Sequence, residues 1–341
     1  MKVQPLQEEG TLKGTHRLLA ICAALALVVA ACGDDNDSSS GGSASSSGGG
    51  EKKNYKMTLV AGVKGDEFYI TMNCGAQEKA KELGVTLDFQ GPDEFDAAQQ
   101  TPIVNAVAAK KPDAMLVAPT DTKAMFAPIK QVADAGSKVV LVDTTLEQAD
   151  MAVSQIASDN KGGGAAAADT LKELMGDAGG KVYVSNVKPG ISTTDLREQG
   201  FVEKTKELGL DYAGRNYNND KPETAAAQVK AALAKDPDIK GIFATNLFGA
   251  EGAATGVREA GAKDVKIVGF DAGPKQVEDL KGGIVQALIA QKPAEIGADG
   301  VEQAYNALTG KPNEAKIATG FTSITQDNLE ENQDNVYKAS C

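Results

Sequence analysis

The sequence predicts an α/β protein that consists of two similar lobes joined by a hinge. Near-continuous apolar runs such as 138–142 (KVVLV) alternate with segments of helical periodicity, which is typical of a parallel sheet covered by helices on both faces. After the short apolar strand 153–158 the alternation starts again, with a helix opening at Asn160. The 341 residues suffice for two ordinary hydrophobic cores. We therefore expect the functional site in the slot between two lobes.

The first half contains about four strand–helix units. Ile70, Ala76 and Ala80 fall on one face of a helix, and Gly136 is a usual terminator for the helix that precedes it. The predicted strands are 56–62, 85–90, 113–118 and 138–142, and the predicted helices are 67–83, 96–110 and 122–135.

The second half repeats this order as far as residue 325. Its predicted helices are 160–175, 194–208, 222–235, 249–260, 274–281 and 293–309. Its predicted strands are 181–186, 210–217, 241–245, 265–270, 284–290, 315–319 and 321–325. The glycine run 162–164 at the start of the first of these helices indicates close helix packing. A phosphate-binding nest is the alternative, although the run lacks the G-x-G-x-x-G spacing and a Walker lysine.

Composition excludes several functions. A net charge of −12 and an isoelectric point near 4.8 argue against nucleic acid as a partner. His16 is the single histidine and lies in the amino-terminal leader, so the body lacks the residue on which Ser–His–Asp catalysis and His-ligated zinc depend. We therefore expect a binding protein rather than an enzyme, with no cofactor and no metal. A doubly wound hydrolase or transferase is the alternative, and turnover of a bound ligand would reveal it.

The amino terminus has the features of an export signal. An apolar run over 18–31 follows three basic or titratable residues and is shorter than the roughly 20 residues of a membrane-spanning helix. Its end, VAAC at 29–32, resembles the bacterial lipobox, in which the cysteine is lipid-modified and becomes the first residue. This predicts a lipoprotein signal over 1–31 and lipid attachment at Cys32. An ordinary signal with an incidental cysteine is the alternative.

A tether follows the predicted lipid site. Residues 33–50 are almost wholly Gly, Ser, Asp and Asn, which cannot bury enough apolar surface to offset the entropy of ordering. We expect a flexible tether over 32–54 that holds the folded body at the outer face of the cell membrane, or in the periplasm.

Polar and aromatic side chains directly after the predicted strands are the candidates for a binding site, because ligands of open α/β sheets bind beyond the carboxyl ends of the strands. Carboxylates and carboxamides interleaved with aromatic rings suit a polyhydroxylated ligand. Arg197 adds five donors and balances the carboxylates. The strand-end candidates are Asp66, Phe68, Tyr69, Pro119, Thr120, Asp121, Asp143, Asn186, Asn246, Asp271 and Gln291. Each of the Asp and Asn residues has the alternative role of helix cap or turn former.

Five short segments then resemble, in order, the ribose-binding-protein-like solute receptors. They are IASDN at 156–160, REQGF at 197–201, IFATN at 242–246, VGFD at 268–271 and IAQ at 289–291. The resemblance covers roughly residues 56–325. It implies a type I periplasmic binding protein in which two Rossmann-like, doubly wound lobes are joined by a three-crossing hinge and close on a sugar. The loaded protein would then deliver the sugar to an ABC-type membrane permease.

The resemblance also implies lobe boundaries. The first lobe would contain 55–157 and 292–319, the second lobe 158–291 and 320–326, and a tail 327–341 would follow. We expect a monomer. A sensory or autoinducer-sugar receptor of the same fold, which signals to a membrane partner, is the alternative function.

Residue roles follow position by position from the same resemblance. Phe68 and Tyr69 match the aromatic pair that lies on the sugar, and Asp66 stands where ribose receptors have an asparagine. The remaining ligand-binding matches are Asp143, Arg197, Asn246, Asp271 and Gln291.

The sequence also departs from the ribose pattern. Ala118 and Thr144 replace an asparagine and an arginine, and Leu247-Phe248 replaces an acidic dipeptide. Tyr217 and Phe248 are the candidates for the aromatic side chain of the second lobe. We therefore expect a monosaccharide or polyol other than ribose.

Two cysteines remain once the leader and the lipid site are set aside. Cys74 and Cys341 are expected to form one disulfide, since exported proteins enter an oxidising compartment. The alternative is a buried Cys74 and a free thiol at Cys341.

Overall fold

The computed structural model describes residues 54–176 and 179–341. The predicted signal 1–31, the predicted lipid site Cys32 and all of the predicted tether except Asn54 lie outside these ranges. Within them, no helix combines the length and the apolar character needed to cross a membrane.

The described residues form twelve strands and nine helices. The strands are β1 Lys56–Val60, β2 Thr86–Gln90, β3 Ala114–Val117, β4 Lys138–Val142, β5 Ala152–Ser158, β6 Lys181–Asn186, β7 Asp211–Tyr217, β8 Ile239–Ala244, β9 Lys266–Phe270, β10 Ala287–Ala290, β11 Lys316–Thr319 and β12 Thr322–Thr325. The helices are α1 Glu67–Leu83, α2 Ala97–Lys110, α3 Phe126–Asp134, α4 Asn160–Met175, α5 Ser192–Glu207, α6 Pro222–Lys235, α7 Leu247–Ala260, α8 Pro274–Lys281 and α9 Pro293–Thr309.

The strands build two six-stranded sheets of the same design. The first sheet has the order β11-β5-β4-β3-β1-β2, and all its neighbours are parallel. The second has the order β12-β10-β9-β8-β6-β7 and is parallel except for the antiparallel edge strand β12. Both orders reverse direction at an inner strand, β1 or β6, which is where ligands bind in doubly wound sheets.

The chain passes between the two sheets three times. It leaves the first sheet after β5, and α4 then packs on α5 and on the second sheet. It returns after β10 through α9, which packs on α1 and on the first sheet. The last passage is the short link from β11 to β12. This topology confirms the predicted fold class of two doubly wound lobes and a three-crossing hinge.

Glycines allow the helices beside the crossings to approach closely. A Cβ atom on Gly164 of α4 would collide with the carbonyl of Arg197 in α5. The first lobe has the same arrangement between α1 and α9, where a Cβ on Gly297 would collide with the carbonyl of Met72. Close packing therefore accounts for the glycine run 162–164: Gly162 makes room for the side chain of Asp159, Gly163 for the ring of Phe270 and Gly164 for α5.

Two predicted elements begin three or more residues later than the sequence pattern suggested. The helix predicted over 122–135 begins at Phe126, because the side chain of Asp121 accepts the amide hydrogens of Lys123 and Ala124 and folds those residues into a turn. The strand predicted over 284–290 begins only at Ala287.

This strand begins late because the residues before it complete the end of α8. The amide groups of Ile284 and Val285 donate to the carbonyl of Asp279 and close the helix instead of joining the sheet. One helix begins earlier than predicted. Helix α7 begins at Leu247, two residues before the predicted start, because the side chain of Asn246 caps it by accepting from the amide of Gly249.

The tail after β12 is folded against the body. A 3₁₀ helix, Glu330–Asn335, leads to Tyr337, whose surface is only 3% exposed. The chain ends at Cys341, which forms a disulfide with Cys74 of α1 in the first lobe. The last five residues therefore return to the helix whose first turn faces the slot between the lobes.

Candidate functional site

A polar cavity lies between the lobes at the carboxyl ends of both sheets. The space between atoms there amounts to about 410 Å³, which includes solvent-accessible space at its mouth. Its walls are Asp66, Phe68, Tyr69, Phe95, Asp143, Val187, Ile191, Thr193, Thr194, Arg197, Asp220, Asn246, Asp271 and Gln291. The structure therefore brings together all eight residues that the sequence suggested as ligand contacts.

The first lobe contributes the start of α1 and the end of β4. Asp66 caps α1 by accepting from the amide of Phe68 at 2.8 Å, so the first helical turn presents its aromatic pair to the cavity. The rings of Phe68 and Tyr69 meet edge to face with centroids 5.1 Å apart. The hydroxyl of Tyr69 donates to Oδ2 of Asp143 at 2.8 Å. Tyr69 thus orients a carboxylate in addition to lining the wall.

A hydrogen-bond chain at the hinge fixes the carboxylate of Asp271. Ser158 donates to Oε1 of Gln291 at 2.8 Å, and Nε2 of Gln291 donates to Oδ1 of Asp271 at 2.7 Å. Tyr337 donates to the same Oδ1 at 3.0 Å. Both polar atoms of the Gln291 side chain are therefore engaged within the protein. Asp271 lines the cavity, and in the described part of the chain its Oδ2 accepts no hydrogen bond.

Arg197 is held on three sides, and one of its three nitrogen atoms is left without a partner in the described part of the chain. Its Nε donates to Oδ1 of Asn160 at 2.8 Å, and its Nη1 donates to the carbonyl of Thr245 at 2.9 Å. The guanidinium carbon lies 3.8 Å over the ring of Phe270. Nη2 is buried and has no partner in the described part of the chain. A buried unpaired donor in a cavity wall is available for a hydrogen bond to an oxygen of a bound molecule.

The second lobe adds a carboxylate that the sequence reasoning missed. Asp220 follows β7, and its Oδ1 accepts from Nδ2 of Asn246 at 2.6 Å. Asp143, Asp220 and Asp271 all have positive φ angles, of 63°, 62° and 77°, a conformation that aspartate tolerates better than most residues. The rule of polar residues after strands also applies to Asp220, and it would have found this residue.

Other cavity residues carry no such signal. They are Phe95, Val187, Ile191, Thr193 and Thr194. Phe95 comes from the loop between β2 and α2, and the two apolar residues flank the loop between β6 and α5.

The prediction that Tyr217 or Phe248 supplies an aromatic side chain from the second lobe is wrong. Neither candidate lines the cavity: the hydroxyl of Tyr217 accepts from Arg215 at 2.7 Å, and Phe248 lies in a neighbouring depression with Phe95. Val187 and Ile191 provide the apolar wall on that side.

Four strand-end candidates also lie outside the cavity walls. Thr120 bonds to Gln100, Asp121 caps the turn before α3, and Asn186 donates to Glu198. Pro119 accepts from Thr144 through its carbonyl. These residues therefore stabilise the loops around the site instead of lining the cavity. This is the structural role that the sequence left open as the alternative to ligand binding.

Burial and mutual repulsion set the charge of the cavity. Burial raises the pKa of Asp143 to about 6, a rise that the nearby Arg197 and the Tyr69 hydroxyl oppose. Burial also raises the pKa of Asp220 to about 7, and repulsion from Asp271 adds to the rise. The pKa of Asp66 lies well above its usual range for the same two reasons.

Four carboxylates and one guanidinium favour a ligand that donates several hydrogen bonds. Each carboxylate has an oxygen to offer to a hydroxyl group, and Arg197 can donate to one ligand oxygen. Among residues 54–176 and 179–341, no group of three or more His, Cys, Asp or Glu side chains is arranged to hold a metal. The arrangement suits a neutral molecule rich in hydroxyl groups.

Direct contacts between the lobes surround the mouth of this cavity. Nζ of Lys188 in the second lobe donates to the carbonyl of Phe95 in the first at 2.8 Å. The amide of Thr145 donates to Oγ of Ser192 at 2.9 Å. The lobes are therefore closed in this structure, and the cavity is enclosed from both sides.

Two matching α/β lobes, three crossings and a polar cavity between them define a receptor of the periplasmic binding protein class. The chain belongs to the periplasmic binding protein domain family, which it matches over residues 57–312. It is 31% identical over 263 residues to the ribose import binding protein RbsB of Salmonella typhimurium, an alignment covering 76% of this chain and 87% of the relative.

Solved structures agree with this assignment. An ABC transporter solute binding protein from Agrobacterium vitis, bound with alpha-D-tagatopyranose, is 43% identical with a TM-score of 0.81, and the match covers 84% of this chain and all of that one. A periplasmic solute binding protein from Actinobacillus succinogenes, with bound D-allose, is 26% identical with a TM-score of 0.75, over 82% of this chain and all of that one.

Proposed function

We propose that this protein is an extracytoplasmic receptor that captures a monosaccharide or sugar alcohol between its lobes and delivers it to an ABC-type importer. The observation that carries the proposal is the cavity between the lobes, whose walls combine four carboxylates with Arg197 and its unpaired Nη2. The names of the relatives, which concern ribose import and bound tagatose or allose, support a sugar as the ligand. They also favour import over the sensory role.

The cavity residues that contact the ligand have three roles. Asp66, Asp143, Asp220 and Asp271 accept sugar hydroxyls, while Arg197 donates to a ring or hydroxyl oxygen. Phe68 covers the C–H face of the sugar.

The two carboxamides act mainly through the carboxylates. Asn246 holds Asp220, and Gln291 holds Asp271. Their contribution is therefore to fix the direction in which each carboxylate accepts from the ligand.

The donor and acceptor balance explains why the ligand can differ from ribose. Ala118 and Thr144 stand where ribose receptors have an asparagine and an arginine, and neither lines the cavity. Thr144 uses its hydroxyl within the protein, on the carbonyl of Pro119. The site thus has more acceptors and fewer donors than the ribose pattern, which favours a sugar that presents hydroxyl donors along most of its edge.

Binding and release need no chemical change of the sugar. The ligand contacts both lobes only in the closed form, so binding shifts the hinge equilibrium towards closure. We therefore propose a receptor without turnover.

The proposal extends to the ends of the chain. The leader 1–31 is removed, Cys32 carries the lipid and 32–54 is the tether. The lobes comprise 55–157 with 292–319 and 158–291 with 320–326, followed by the tail, and the protein acts as a monomer. Cys32→Ser should release the protein from cell membranes into the soluble fraction, and retention in the membrane would contradict the lipid anchor.

Isothermal titration calorimetry tests the sugar proposal. The purified protein is titrated with pentoses, hexoses and their alcohols, including D-ribose, D-allose and D-tagatose. At least one sugar should bind with a stoichiometry of one, and Asp271→Asn should weaken it strongly. Asp264→Asn, a substitution at an exposed aspartate outside the cavity, is the matched control. Equal binding by both variants would show that the cavity is not the binding site.

A further inference from the structure

Tyr337 belongs to the tail, yet it contacts the cavity wall from behind. Its hydroxyl donates to Oδ1 of Asp271 at 3.0 Å and accepts from the amide of Gln291 at 2.9 Å. Its ring meets that of Phe68 with centroids 5.9 Å apart. One buried side chain thus touches a carboxylate of the second lobe, the start of a hinge crossing and an aromatic wall of the first lobe.

The residues around Tyr337 connect the lobes a further time. The amide of Tyr337 donates to the carbonyl of Ala272 in the second lobe at 2.9 Å. The next amide, of Lys338, donates to Oγ1 of Thr71 in α1 at 2.7 Å. Three residues later, Cys341 is bonded to Cys74 in the same helix. We call residues 336–341 the C-terminal strap.

The strap acts on a carboxylate that needs external support. Asp271 adopts a φ of 77°, outside the regions that most side chains prefer, so its position depends on the contacts around it. Two donors, from Gln291 and Tyr337, converge on Oδ1. With Oδ1 held by both, Oδ2 keeps one direction towards the cavity. Loss of either donor would allow the carboxylate to rotate away from the ligand.

The disulfide holds the strap in place when the lobes move. Without it, the last residues would have to be ordered at each closure, and this entropy would be subtracted from the binding free energy. With it, the strap stays beside α1, the helix that also presents Asp66, Phe68 and Tyr69.

We propose that Tyr337 is a positioning residue for Asp271, and that the Cys74–Cys341 disulfide sets the affinity of the cavity by holding the strap against α1. The expected effect of Tyr337 and of the disulfide on sugar affinity rests on the proposed function. Its structural part, the support of Asp271 by the strap, is independent of any ligand and is tested separately below.

The first test measures sugar affinity. D-Tagatose, D-allose and D-ribose are the probes, with the tightest binder of the three used for the variants. Tyr337→Phe, which keeps the ring and removes the hydroxyl, should raise Kd about tenfold, because a hydrogen bond to a carboxylate is lost. Tyr183→Phe is the control, since its hydroxyl bonds to Asn216, outside the cavity walls.

A double-mutant cycle separates positioning from general destabilisation. If Tyr337 acts through Asp271, Tyr337→Phe should change Kd less than about twofold in an Asp271→Ala background, where no side-chain oxygen remains for its hydroxyl to orient. Thermal-shift titration extends the measurement to weakly binding variants. The same tenfold loss in both backgrounds would overturn the positioning role.

The second test addresses the disulfide. Cys341→Ser and Cys74→Ser should raise Kd by the same factor, and reduction of the parent protein should reproduce that factor. Reduction of Cys341→Ser should have no further effect, which controls for the other cysteines. Unchanged affinity in the reduced protein and in both variants would contradict the role of the disulfide.

Hydrogen exchange on ligand-free protein distinguishes failure of this proposal from failure of the sugar proposal. Tyr337→Phe and Cys341→Ser should both speed exchange at residues 270–273 and 289–292, while residues 181–186 in the second sheet serve as the internal control. If no sugar binds but the two variants exchange faster at these residues, the sugar proposal is wrong and the strap proposal is confirmed. If a sugar binds and exchange is unchanged, the strap proposal is wrong.

Discussion

The guanidinium of Arg197 is stacked on the ring of Phe270, 3.8 Å from its centroid, at the end of the strand that leads directly into Asp271. The stack holds the arginine flat while Nε and Nη1 bond to Asn160 and Thr245. Nη2 has no partner in the described part of the chain and remains for a ligand. Structural and binding roles are therefore combined in one side chain, so truncation to alanine would remove both together.

Arg197→Lys tests the binding role. Lysine keeps the positive charge but cannot donate in three directions at fixed geometry, so the contact to the ligand should be lost. We expect Kd to rise about 10- to 100-fold, the range for a charged hydrogen bond. The measurement is calorimetry with the sugar that the parent protein binds most tightly.

Arg258→Lys is the matched control for this substitution. Arg258 pairs with Asp279 outside the cavity walls, so its replacement should leave Kd unchanged. Equal affinity of the parent and Arg197→Lys would show that Nη2 does not contact the sugar.

The pH dependence of stability should report on Asp220. Its pKa is raised to about 7 in the folded protein, compared with a usual value of 3.8. Between these values the native state binds more protons than the unfolded state, so this group's contribution to stability is full below about pH 4 and is lost as the pH rises to 7. Asp271 and Asp66 oppose its ionisation, whereas Asn246 and Lys188 favour it.

Asp220→Asn should therefore stabilise the ligand-free protein at pH 8 by about 1–3 kcal/mol, with less than half of that effect at pH 5. Asparagine accepts the hydrogen bond from Asn246 equally well and tolerates the positive φ. Melting temperatures of the parent, this variant and Asp264→Asn provide the comparison. The same stability difference at both pH values would exclude a raised pKa as its cause.

Gly164→Ala should destabilise the second lobe. The added methyl group would collide with the backbone carbonyl of Arg197, which cannot move without separating α4 from α5. We expect a loss of about 1–3 kcal/mol in the free energy of unfolding, the usual cost of overpacking. Denaturant titration measures it.

Gly65→Ala is the control for the glycine prediction, because a Cβ at that position would meet no atom within 4 Å. Its free energy of unfolding should stay close to that of the parent. Similar values for both variants would mean that the two helices do not depend on their close approach.

The sequence predicted the parts of this site that follow a local rule. Asp143, Asp271 and Gln291 each come directly after a strand, and the fold brings such positions to one edge of the sheets. Asp220 follows the same rule less directly, because it lies three residues after the end of β7. These contacts depend mainly on strand position, which periodicity shows well.

Residues outside that rule could not be found locally. Tyr337 reaches the cavity only because the tail returns across the hinge, and no periodicity near residue 337 indicates this return. Phe95 depends in the same way on the path of one loop. The roles of Asn246 and Gln291 are also non-local, since their partners lie 26 and 20 residues away in sequence.

The central claim is that the two lobes close around a sugar held by Asp271 and Arg197. Small-angle X-ray scattering of the purified protein, titrated with D-tagatose, D-allose, D-ribose and the wider sugar panel, tests it most directly. We predict that one sugar lowers the radius of gyration, that the decrease saturates in line with the calorimetric Kd, and that the same concentration has no such effect on Asp271→Asn. Scattering that stays unchanged with every sugar, together with the absence of binding heat, would contradict it.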